Sequence, residues 1–362
     1  MVTVKSITTP APSGGVSFEQ TQYDEDEFPV ILQPLFTGIC GTDRGIVNAS
    51  LQFAYPQHGS KKLVLGHESI AKVVKVRDSN FGLKVGDLVV PQVRRPGKCI
   101  NCLIGRSDNC SDGDKHEAGI TGLDGFMRES FGDFPQFLVP VKDPSLSELG
   151  VLTEPLKNVE KAFEVFDTVS RRSIFQNASG TFEGKRAMII GTGSEAFLYA
   201  LKCMDYGFET TLANRHDLDP LKEEIIDRVS LRFLNYNAPH DSDLERSDLI
   251  IDTSGDPATI FRFLRKMNNN AHLILFGTNG KAPPSPLDGS DIDYIIERNI
   301  TVSGSVDGSR IHYEKAIQDL SRWRAQYSGV LEKMITGKIR PDQTDIFTKK
   351  PKEEIKTVID WR

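Results

Sequence analysis

The sequence predicts an α/β protein with two domains, a strand-rich domain followed by a doubly wound parallel sheet. Two observations carry this prediction. Up to about residue 140, short apolar runs alternate with Gly, Pro, Asp and Asn, which is typical of strands joined by loops. From residue 185 onwards, short aliphatic runs alternate with helical stretches, which is typical of βαβ units. A chain of 362 residues is long enough for two such cores.

The strand-rich domain is assigned to residues 1–183. Its apolar runs are "PVILQPLF", "KLVLGHESIAKVVKV", "GDLVVPQV" and "FLVPV". A helix is predicted in the next segment, "SELGVLTEPLKNVEKAFEVFDTV", because its apolar residues recur at helical spacing. These residues are Leu156, Val159, Ala162, Phe163 and Phe166. The polar segment "IFQNASGTFEG" is a hinge candidate at the end of the domain.

The parallel-sheet domain is assigned to residues 184–307. Its predicted strands are "RAMIIG", "ETTLAN", "DLIIDTSG", "HLILFG" and "NITVSGSV". Its predicted helices are "SEAFLYALKCMDYG", "LDPLKEEIIDRV" and "PATIFRFLRKMN". Residues 308–362 contain a further predicted helix, "IHYEKAIQDLSRWRAQY", and a tail with room for a strand and a short helix that return to the first domain.

A glycine-rich turn, "GTGSEA", follows the strand "RAMII" and opens a helix, as in the dinucleotide-binding turn of Rossmann domains. The first glycine permits the tight turn, the second lets a pyrophosphate approach the backbone, and the small third residue lets the helix pack against the strand. Amides at the start of the helix face the phosphates. A plain glycine turn is the alternative. Cofactor contacts are predicted at Gly191, Thr192, Gly193, Ser194, Glu195 and Ala196.

The next strand of this domain ends in "LANRH", where an NAD-specific protein commonly places a carboxylate for the adenosine ribose. Here Asn214 can hydrogen-bond the ribose, while Arg215 and His216 can meet a 2′-phosphate. The sequence therefore predicts NADP as the cofactor, with NAD tolerated. The alternative is that Arg215 is a solvated loop charge. Further cofactor contacts are predicted in the loops after later strands, at Gly277, Thr278, Ser305 and Val306.

A catalytic zinc site is predicted from four residues of separate segments, Cys40, His67, Glu68 and Glu154. Catalytic zinc needs three protein ligands and one open position, and this set offers a thiolate, an imidazole and two carboxylates. A lone histidine is more often structural than metal-binding. The prediction therefore depends on the presence of Cys40 and Glu68 beside His67.

A second zinc site is predicted in a lobe at about residues 93–118. Cys99, Cys102 and Cys110 have the spacing of structural zinc ligands, but tetrahedral closure requires a fourth ligand. The acidic loop "SDGDK" can supply that ligand, and a lobe without metal is the alternative. The candidate fourth ligands are Asp114, the first choice, and Asp112 or Asp108 as substitutes.

The composition of the chain limits the classes of molecule that we expect it to bind. An excess of 50 acidic over 44 basic residues gives a net charge of −6 without a basic block, which argues against a nucleic-acid binder. The N-terminus lacks a secretory signal and no run of about 18 apolar residues occurs, so we expect a soluble, cytoplasmic protein that binds small molecules and no membrane. The five cysteines are then expected to be reduced, and isolated Cys203 to be a buried hydrophobe.

Several motifs taken together resemble one enzyme family. They are "GICGTDRG", "LVLGHES", "GDLVVPQVRRPGKC", "KHEAGITG", "LTEPLKNVEKAFEVFD" and "GTGSEAF". They are similar to the archaeal glucose (aldose) 1-dehydrogenases of the Thermoplasma type, a branch of the zinc-dependent medium-chain dehydrogenases, and the similarity covers nearly the whole chain. The resemblance implies a GroES-like catalytic domain, a Rossmann domain, oxidation of D-glucose or D-galactose at C1 to the aldonolactone, and a homotetramer.

The resemblance also implies roles for individual residues. Cys40 and His67 bind the catalytic zinc, Glu68 is a direct or exchangeable ligand, and Glu154 is the remaining ligand, at a position where relatives can have glutamine. The hydroxyl of Thr42 accepts the substrate proton and passes it towards solvent. Substrate contacts are implied at Thr42, Glu117, Glu154, Asn158 and Asp307.

Three positions depart from the family's pattern. Pro96 stands where the family commonly has the first of four lobe cysteines, Asn158 stands where relatives have an acid, and Asp307 stands where they often have Asn. The last two exchanges leave the preference between glucose and galactose open.

Two rival functions are kept. Another zinc-dependent medium-chain dehydrogenase, acting on a polyol or a simple alcohol, would share the fold, and fold alone does not exclude it. A catalytically inactive dinucleotide-binding sensor would usually have lost its zinc ligands, whereas Cys40 and His67 are both present.

Overall fold

The computed structural model describes residues 1–78, 82–113, 116–172, 180–238, 245–279 and 281–362. Within these residues the chain forms two compact units, one of Met1–Lys157 with Asp307–Arg362 and the other of Asn158–Val306. The domain bounds drawn from the sequence, at 183/184 and 307/308, remain predictions. Asp114 and most of the hinge candidate lie outside the described residues.

The secondary structure alternates between strand-rich and helix-rich stretches. In chain order, the strands of the described residues are β1 (Val2–Thr9), β2 (Ser17–Tyr23), β3 (Val30–Ile39), β4 (Leu63–Val64), β5 (Glu68–Val76), β6 (Leu88–Pro91), β7 (Arg94–Arg95), β8 (His116–Ala118), β9 (Gly122–Leu123), β10 (Phe131–Asp133), β11 (Leu138–Val141), β12 (Arg186–Ile190), β13 (Glu209–Asn214), β14 (Arg232–Asn235), β15 (Ser247–Asp252), β16 (Met267–Leu275), β17 (Thr301–Gly304), β18 (Ile335–Ile339) and β19 (Lys356–Asp360). The α-helices are α1 (Gly41–Val47), α2 (Ile100–Leu103), α3 (Thr153–Ser170), α4 (Ser194–Asp205), α5 (Pro220–Val229), α6 (Pro257–Leu264), α7 (Gly289–Glu297), α8 (Arg310–Gln326) and α9 (Val330–Met334).

The first unit is built around a sheet with the strand order β11-β6-β5-β3-β19-β18, and β10 also pairs with β3. β3 lies inside this sheet, between β5 and β19, and is therefore buried along most of its length. Its Gly38 lies opposite Glu68 of β5 on one side and opposite Val358 of β19 on the other. This register brings the C-terminal strand to the same point of the sheet as the segment that follows His67.

Two smaller sheets complete the strand-rich part of the described residues, with the orders β2-β1-β4 and β7-β8-β9. Buried apolar clusters hold the unit together because they remove aliphatic and aromatic side chains from water. One cluster includes Ile39, Ile46, Leu65, Ile359 and Trp361. A second cluster includes Leu32, Val73, Phe126, Phe131 and Leu138.

The predicted helix after the strand-rich segment is confirmed as α3. The apolar residues that predicted it are each at most 1% exposed, as expected for one buried face of a helix. They are Leu156, Val159, Ala162, Phe163 and Phe166.

The second unit contains a parallel sheet whose order, within the described residues, is β14-β13-β12-β15-β16-β17. All of its neighbouring strands are parallel. Numbered within the unit, this is the order 3-2-1-4-5-6 of the doubly wound dinucleotide-binding fold, which confirms the predicted fold class. "NITVSGSV" forms the edge strand β17, as predicted. β14 was not predicted, because its four residues carry too short an apolar pattern.

None of the helices among the described residues is both long enough and apolar enough to span a membrane.

Candidate active site

The candidate metal centre lies in the first unit. Cys40 is the N-cap residue of α1, His67 stands in the turn between β4 and β5, and Glu68 begins β5. Their candidate ligand atoms all lie within 4.8 Å of one another. Thiolate, imidazole and carboxylate are the ligands that zinc takes in proteins. The structure therefore brings together three of the four residues predicted for the catalytic zinc.

Asp43 contacts the backbone of Cys40 and the side chain of His67. Its Oδ2 accepts the amide of Cys40 at 2.8 Å, and its Oδ1 lies 3.4 Å from Nδ1 of His67. Burial opposes a charged imidazole, but the Asp43 carboxylate and the Cys40 thiol outweigh it and raise the pKa of His67 well above its ordinary value. A carboxylate beside Nδ1 leaves Nε2 of a metal-binding histidine for the metal. The donor set and its negative surroundings fit a zinc ion.

Glu68 is also held by Lys356, a residue of β19 that the sequence analysis missed. Nζ of Lys356 donates to the two carboxylate oxygens at 2.7 and 2.8 Å, and both side chains are buried. A Cβ on Gly38 would overlap with Oε2 of Glu68, so the bare glycine gives the carboxylate its space. Glu68 therefore lies between two candidate zinc ligands and a buried ammonium group.

Glu154, the fourth predicted ligand, is not part of the three-residue cluster found among the described residues. It lies in the first turn of α3, and Nζ of Lys157, three residues further on, is 3.1 Å from its carboxylate. Residues at this spacing share a helix face. Lys157 also donates to Oδ1 of Asp307 at 2.5 Å. The same ammonium group therefore joins two residues that were predicted to contact substrate.

Arg94 extends this set of buried charges to a third predicted residue, Glu117. Arg94 donates to Oε1 of Glu117 at 2.9 Å through Nε and at 2.7 Å through an η-nitrogen. The two residues face each other across β7 and β8. Nε of Arg94 also lies 2.7 Å from Oδ2 of Asp307. We call Arg94, Glu117, Glu154, Lys157 and Asp307 the charge network.

The ion pairs of the charge network outweigh the effect of burial. Burial alone would lower the pKa of Lys157, but Asp307 and Glu154 raise it. Burial would raise the pKa of Asp307, but Lys157 and Arg94 lower it. Oδ2 of Asp307 has no hydrogen-bond donor of good geometry among the described residues. This oxygen can accept a hydrogen bond from a bound hydroxyl.

Sequence reasoning found the three carboxylates of the network but neither of its cations. The sequence signal for Lys157 was weak, because Lys157 is one of several charged residues that recur at helical spacing on α3, with Glu154, Glu160 and Lys161. No comparable signal marked Arg94, because its pairing depends on the register of two strands, one of which has only two residues.

The remaining predicted residues of this part are Thr42 and Asn158. Oγ1 of Thr42 is 3.8 Å from Sγ of Cys40, and its side chain is partly buried. Asn158 follows Lys157 on α3 and is partly buried as well. Thr42 is thus close enough to the candidate metal ligands for its hydroxyl to meet a substrate held there.

The lobe brings its three cysteines together. The Sγ atoms of Cys99, Cys102 and Cys110 lie within 4.8 Å of one another. Cys99 caps α2 and Cys102 follows within its only turn, which explains their proximity. Hydrogen bonds, chiefly with the backbone of Ser111, lower the pKa of Cys99 to about 6. A thiol that ionises this readily is a good metal ligand.

The acidic residues of the lobe differ in their contacts. Arg106 engages the carboxylate of Asp108 at 2.8 and 3.0 Å. Oδ1 of Asp112, in contrast, lies 2.9 Å from Sγ of Cys110. Asp114 lies outside the described residues. Among the described acidic residues, Asp112 is therefore the one placed next to a thiol of the cluster.

The glycine turn of the second unit has the context that was predicted for it. It links β12 to α4, and Gly193 is the N-cap residue of the helix. Gly191 has a φ of 127°, and a Cβ there would overlap with Oγ1 of Thr253, so this position requires glycine. Ala196 is fully buried, which allows close packing of the helix on the sheet. The other predicted contacts of this turn are Thr192, Ser194 and Glu195.

Asn214, Arg215 and His216 lie at the carboxyl end of β13, the strand adjacent to β12. Arg215 and His216 are exposed, and Asn214 donates to the carbonyl of His216 at 3.1 Å. A guanidinium group here is suited to a phosphate, because it offers several fixed N–H donors.

The loops after the later strands contain the remaining predicted cofactor residues. The amide of Gly277 donates to the carbonyl of Asp252 at 2.9 Å, and a Cβ on Gly277 would overlap with the backbone of Gly255. Thr278 follows in the same loop, while Ser305 and Val306 follow β17. All of these residues lie at the carboxyl ends of strands, where open parallel sheets bind their ligands.

Comparisons with known proteins agree with this geometry. Residues 147–361 match the family described as "Glucose dehydrogenase C-terminus", and residues 27–143 match "Alcohol dehydrogenase GroES-like domain". A glucose 1-dehydrogenase of Thermoplasma acidophilum is 54% identical over 367 residues, with the whole of both chains covered. A glucose 1-dehydrogenase of Metallosphaera sedula is 38% identical, with 99% of each chain covered.

A solved structure shows the same fold. The glucose dehydrogenase of Haloferax mediterranei, in complex with NADP, Zn and gluconolactone, has a TM-score of 0.85 and 26% identity, and the match covers 98% of this chain and 99% of that chain. The predicted pairing of a GroES-like part with a parallel-sheet part is confirmed. With 54% identity to a relative over its full length, this chain belongs to the glucose 1-dehydrogenase family of zinc-containing, NAD(P)-dependent dehydrogenases.

Proposed function

We propose that this protein oxidises D-glucose at C1 to the aldonolactone and transfers the hydride to NADP. The observation that carries the proposal is the cluster of Cys40, His67 and Glu68 in a chain that matches glucose 1-dehydrogenases along its whole length. NADP is preferred to NAD because β13 ends in Asn214 followed by Arg215, where NAD-specific proteins commonly have a carboxylate. NAD is expected to be the weaker acceptor.

Cys40 and His67 would hold the catalytic zinc, with Glu68 as an exchangeable ligand, since Lys356 engages the same carboxylate. Zinc bound there supplies Lewis acidity, which stabilises negative charge on the C1 oxygen of the sugar. Asp43, which accepts the backbone amide of Cys40 and lies beside Nδ1 of His67, would help to hold both ligands in position.

Thr42 provides the path for the proton. Its Oγ1, beside the thiol of Cys40, accepts the proton of the C1 hydroxyl while it passes its own proton towards solvent. This relay is necessary because a threonine hydroxyl alone is too weak a base.

The charge network selects the substrate. Oδ2 of Asp307 and the carboxylate of Glu117 accept hydrogen bonds from sugar hydroxyls, and Arg94 keeps both side chains in place. A site of buried acceptors rejects alcohols that lack those hydroxyls. Glu154 and Asn158, four residues apart on one face of α3, complete the predicted substrate set.

The turn that contains Gly191 and Gly193 would receive the pyrophosphate of the cofactor at the first amides of α4. Asn214, Arg215 and His216 would bind the adenosine ribose and its 2′-phosphate. The further predicted contacts of the cofactor are Gly277, Thr278, Ser305 and Val306.

The lobe would hold a structural zinc through Cys99, Cys102 and Cys110. Asp114 remains the first choice for the fourth ligand, and the position of Asp112 beside Cys110 supports it as the substitute. We further propose a homotetramer in the cytoplasm, where a reducing milieu keeps these thiols free to bind metal.

A substrate panel tests the proposal. Initial rates are measured with glucose, galactose, xylose, sorbitol and ethanol against NADP and NAD. The highest kcat/KM is expected for an aldose with NADP, and the panel also decides between glucose and galactose. Turnover of sorbitol or ethanol without turnover of aldoses would show a polyol or alcohol dehydrogenase, and no turnover at all would favour the inactive sensor.

Variants test the metal site in the same assay. Cys40→Ser is expected to lower kcat/KM at least about a hundredfold, because even residues that only support a metal ligand contribute roughly ten- to a hundredfold. Cys203→Ala, at a cysteine outside both predicted sites, serves as the control and should keep its activity. Zinc content should be near two per subunit, and a value near one that Cys40→Ser reduces towards zero would remove the lobe site.

A further inference from the structure

A cavity of about 450 Å³ in the first unit belongs neither to the metal centre nor to the charge network. This volume lies within the range of roughly 300–1,000 Å³ that is common for small-molecule sites. Aromatic rings form much of its wall, among them Tyr23, Phe28, Phe131 and Phe137. Two arginines, Arg95 and Arg128, also line it.

Arg128 is a buried cation that forms no ion pair with the described residues. Its residue is 8% exposed, its Nε has no hydrogen-bond partner, and no carboxylate among the described residues forms an ion pair with it. Its guanidinium carbon lies 5.5 Å from the ring centroid of Tyr23 and 5.6 Å from that of Phe131. Arginine remains protonated in proteins, so this charge is held inside the fold.

A comparison with Arg94 shows what Arg128 lacks. Burial lowers the pKa of both groups, but Asp307 and Glu117 reverse the effect at Arg94 and raise its pKa. At Arg128, the more distant Asp124 and Asp133 offset only part of the effect, and the pKa is lowered. A buried charge without a partner is strongly destabilising. The cavity next to Arg128 is the place where an anion could compensate that charge.

Arg95 adds a second donor to the same cavity. One of its η-nitrogens binds Oδ2 of Asp133 at 2.7 Å, while Nη1 is buried and has no partner among the described residues. Oδ1 of Asp133 accepts the amide of Phe134 at 2.8 Å, so each oxygen of this carboxylate already accepts one hydrogen bond. Two guanidinium groups therefore line the cavity, each with a buried N–H group that no described residue accepts, and a guanidinium matches the planar oxygens of a carboxylate.

The acidic residues of the wall restrict the ligand further. They are Asp24, Glu27, Asp124 and Asp133. Four carboxylates against two guanidinium groups disfavour a ligand with several negative charges, since like charges repel. The same carboxylates accept hydrogen bonds from hydroxyl groups, and the aromatic rings cover an apolar carbon skeleton. The wall thus suits a single carboxylate that carries hydroxyl groups.

We propose that this cavity binds a polyhydroxy monocarboxylate, the class of compound that hydrolysis of a sugar lactone yields, through Arg128 and Arg95. The choice of an aldonate as the ligand rests on the proposed function, but the site itself does not. A polyhydroxy acid bound there would place the reaction's hydrolysed product at a position separate from Cys40 and His67.

Calorimetric titration of the full-length, zinc-loaded protein with sodium gluconate tests this site. Arg128→Met is expected to weaken gluconate binding roughly tenfold to a hundredfold, the effect of losing a charge-assisted hydrogen bond, without changing KM for glucose. The matched control is Arg362→Met, which removes an exposed guanidinium 4.4 Å from the ring of Phe36 and should not change binding. Unchanged gluconate binding in Arg128→Met would overturn the proposal.

Titrations with two other anions test the ligand class. Acetate, which lacks hydroxyl groups, and inorganic phosphate, which carries more charge, should both bind more weakly than gluconate. Equal binding of either anion would refute the polyhydroxy monocarboxylate. If Arg128→Met does not fold, crystals of the unchanged chain soaked in gluconate replace it: density for a carboxylate at the Arg128 guanidinium supports the site, and density only elsewhere overturns it.

These measurements separate the two proposals. A protein that fails to oxidise aldoses, yet loses gluconate binding on Arg128→Met, has the cavity site but not the proposed activity. A protein that oxidises glucose and binds gluconate independently of Arg128 has the activity but not the site.

Discussion

At the scale of single residues, the candidate site depends on buried charges that compensate one another. Lys157 is 2% exposed and is acceptable inside the protein because Asp307 and Glu154 face its ammonium group. Asp307 has a φ of 65°, a left-handed conformation that Asp and Asn tolerate better than most residues. Each charge of the network is thus stabilised only while its partner is present.

Lys157→Met is expected to destabilise the protein by about 3–5 kcal/mol, because it leaves the carboxylates of Asp307 and Glu154 buried without their cation. Adding Asp307→Asn should restore part of the loss, since the amide carries no charge and tolerates the same backbone conformation. Urea unfolding of the two single variants and the double variant measures this coupling.

The control for this cycle is an exposed pair. Lys338 and Glu148 are 2.7 Å apart, with side chains 49% and 29% exposed, so Lys338→Met should change the free energy of unfolding by less than about 1 kcal/mol. If the effects of Lys157→Met and Asp307→Asn on the free energy of unfolding were strictly additive, the two side chains would not stabilise each other, which would contradict the ion pair proposed here.

At the scale of elements, strand register decides which side chains meet. β3 pairs with β5 on one side and with β19 on the other, and both pairings include Gly38. The missing side chain at this point leaves space for the carboxylate of Glu68, which Lys356 approaches from β19. In the second unit, the parallel register places the end of β13 beside the glycine turn after β12.

Gly38→Ala is expected to displace Glu68, because the new methyl group would overlap with its carboxylate. A displacement of about 1 Å at a catalytic group lowers activity roughly a hundredfold, and we expect a loss of that order in kcat/KM together with weaker zinc retention. Both are measured on the purified variant, by initial rates and by zinc content after dialysis against a chelator.

The matched control is Gly41→Ala, three residues along the same segment. Apart from its chain neighbours and its own helix backbone, no heavy atom of the described residues lies within 4 Å of a Cβ placed there, so this variant should keep its zinc and its activity. If Gly38→Ala behaved like Gly41→Ala, Glu68 would have no part in the metal centre.

At the scale of the whole molecule, the two units are built from the chain in different ways. The first unit combines residues from both ends of the chain, since β19 pairs with β3 across more than 300 positions. The second unit is continuous in sequence, and short helices separate most of its parallel strands. Its sheet also buries a titratable group, His272 of β16, whose ring lies 5.0 Å from that of Phe166.

We expect the second unit to lose stability below neutral pH. Burial, with a contribution from nearby Arg172, lowers the pKa of His272 from 6.5 to about 4. Between these values the unfolded chain binds a proton that the folded unit does not, so the free energy of unfolding falls as the pH falls from about 6.5 to 4, by at most about 3 kcal/mol. Urea unfolding at pH 7 and pH 4.5 measures the change.

His272→Gln should make the free energy of unfolding less dependent on pH between pH 7 and pH 4.5, because glutamine does not titrate. Equal pH dependence in the variant and the unchanged chain between pH 7 and pH 4.5 would show that His272 does not cause the loss. Measurements at pH 8, where the histidine is neutral in both states, correct for the effect of the substitution itself.

Local sequence signals predicted much of this protein. The spacing of apolar residues in α3, the alternation of strands and helices after residue 185, and the glycine turn at Gly191 were each readable from a short segment. The three thiols of the lobe also lie within a dozen positions of one another. Such features depend on backbone preferences and on neighbours close in sequence, which a single stretch of chain specifies.

The tertiary structure alone decided which distant charges meet. Lys356 reaches Glu68 because β19 joins the sheet beside β3, and Arg94 reaches Asp307 across more than 200 positions. The unpaired guanidinium of Arg128 became visible only once its surroundings were known. The physical reason is that the energy of a buried charge depends on what lies within a few ångströms of it in space, and strand register, rather than sequence proximity, determines those neighbours.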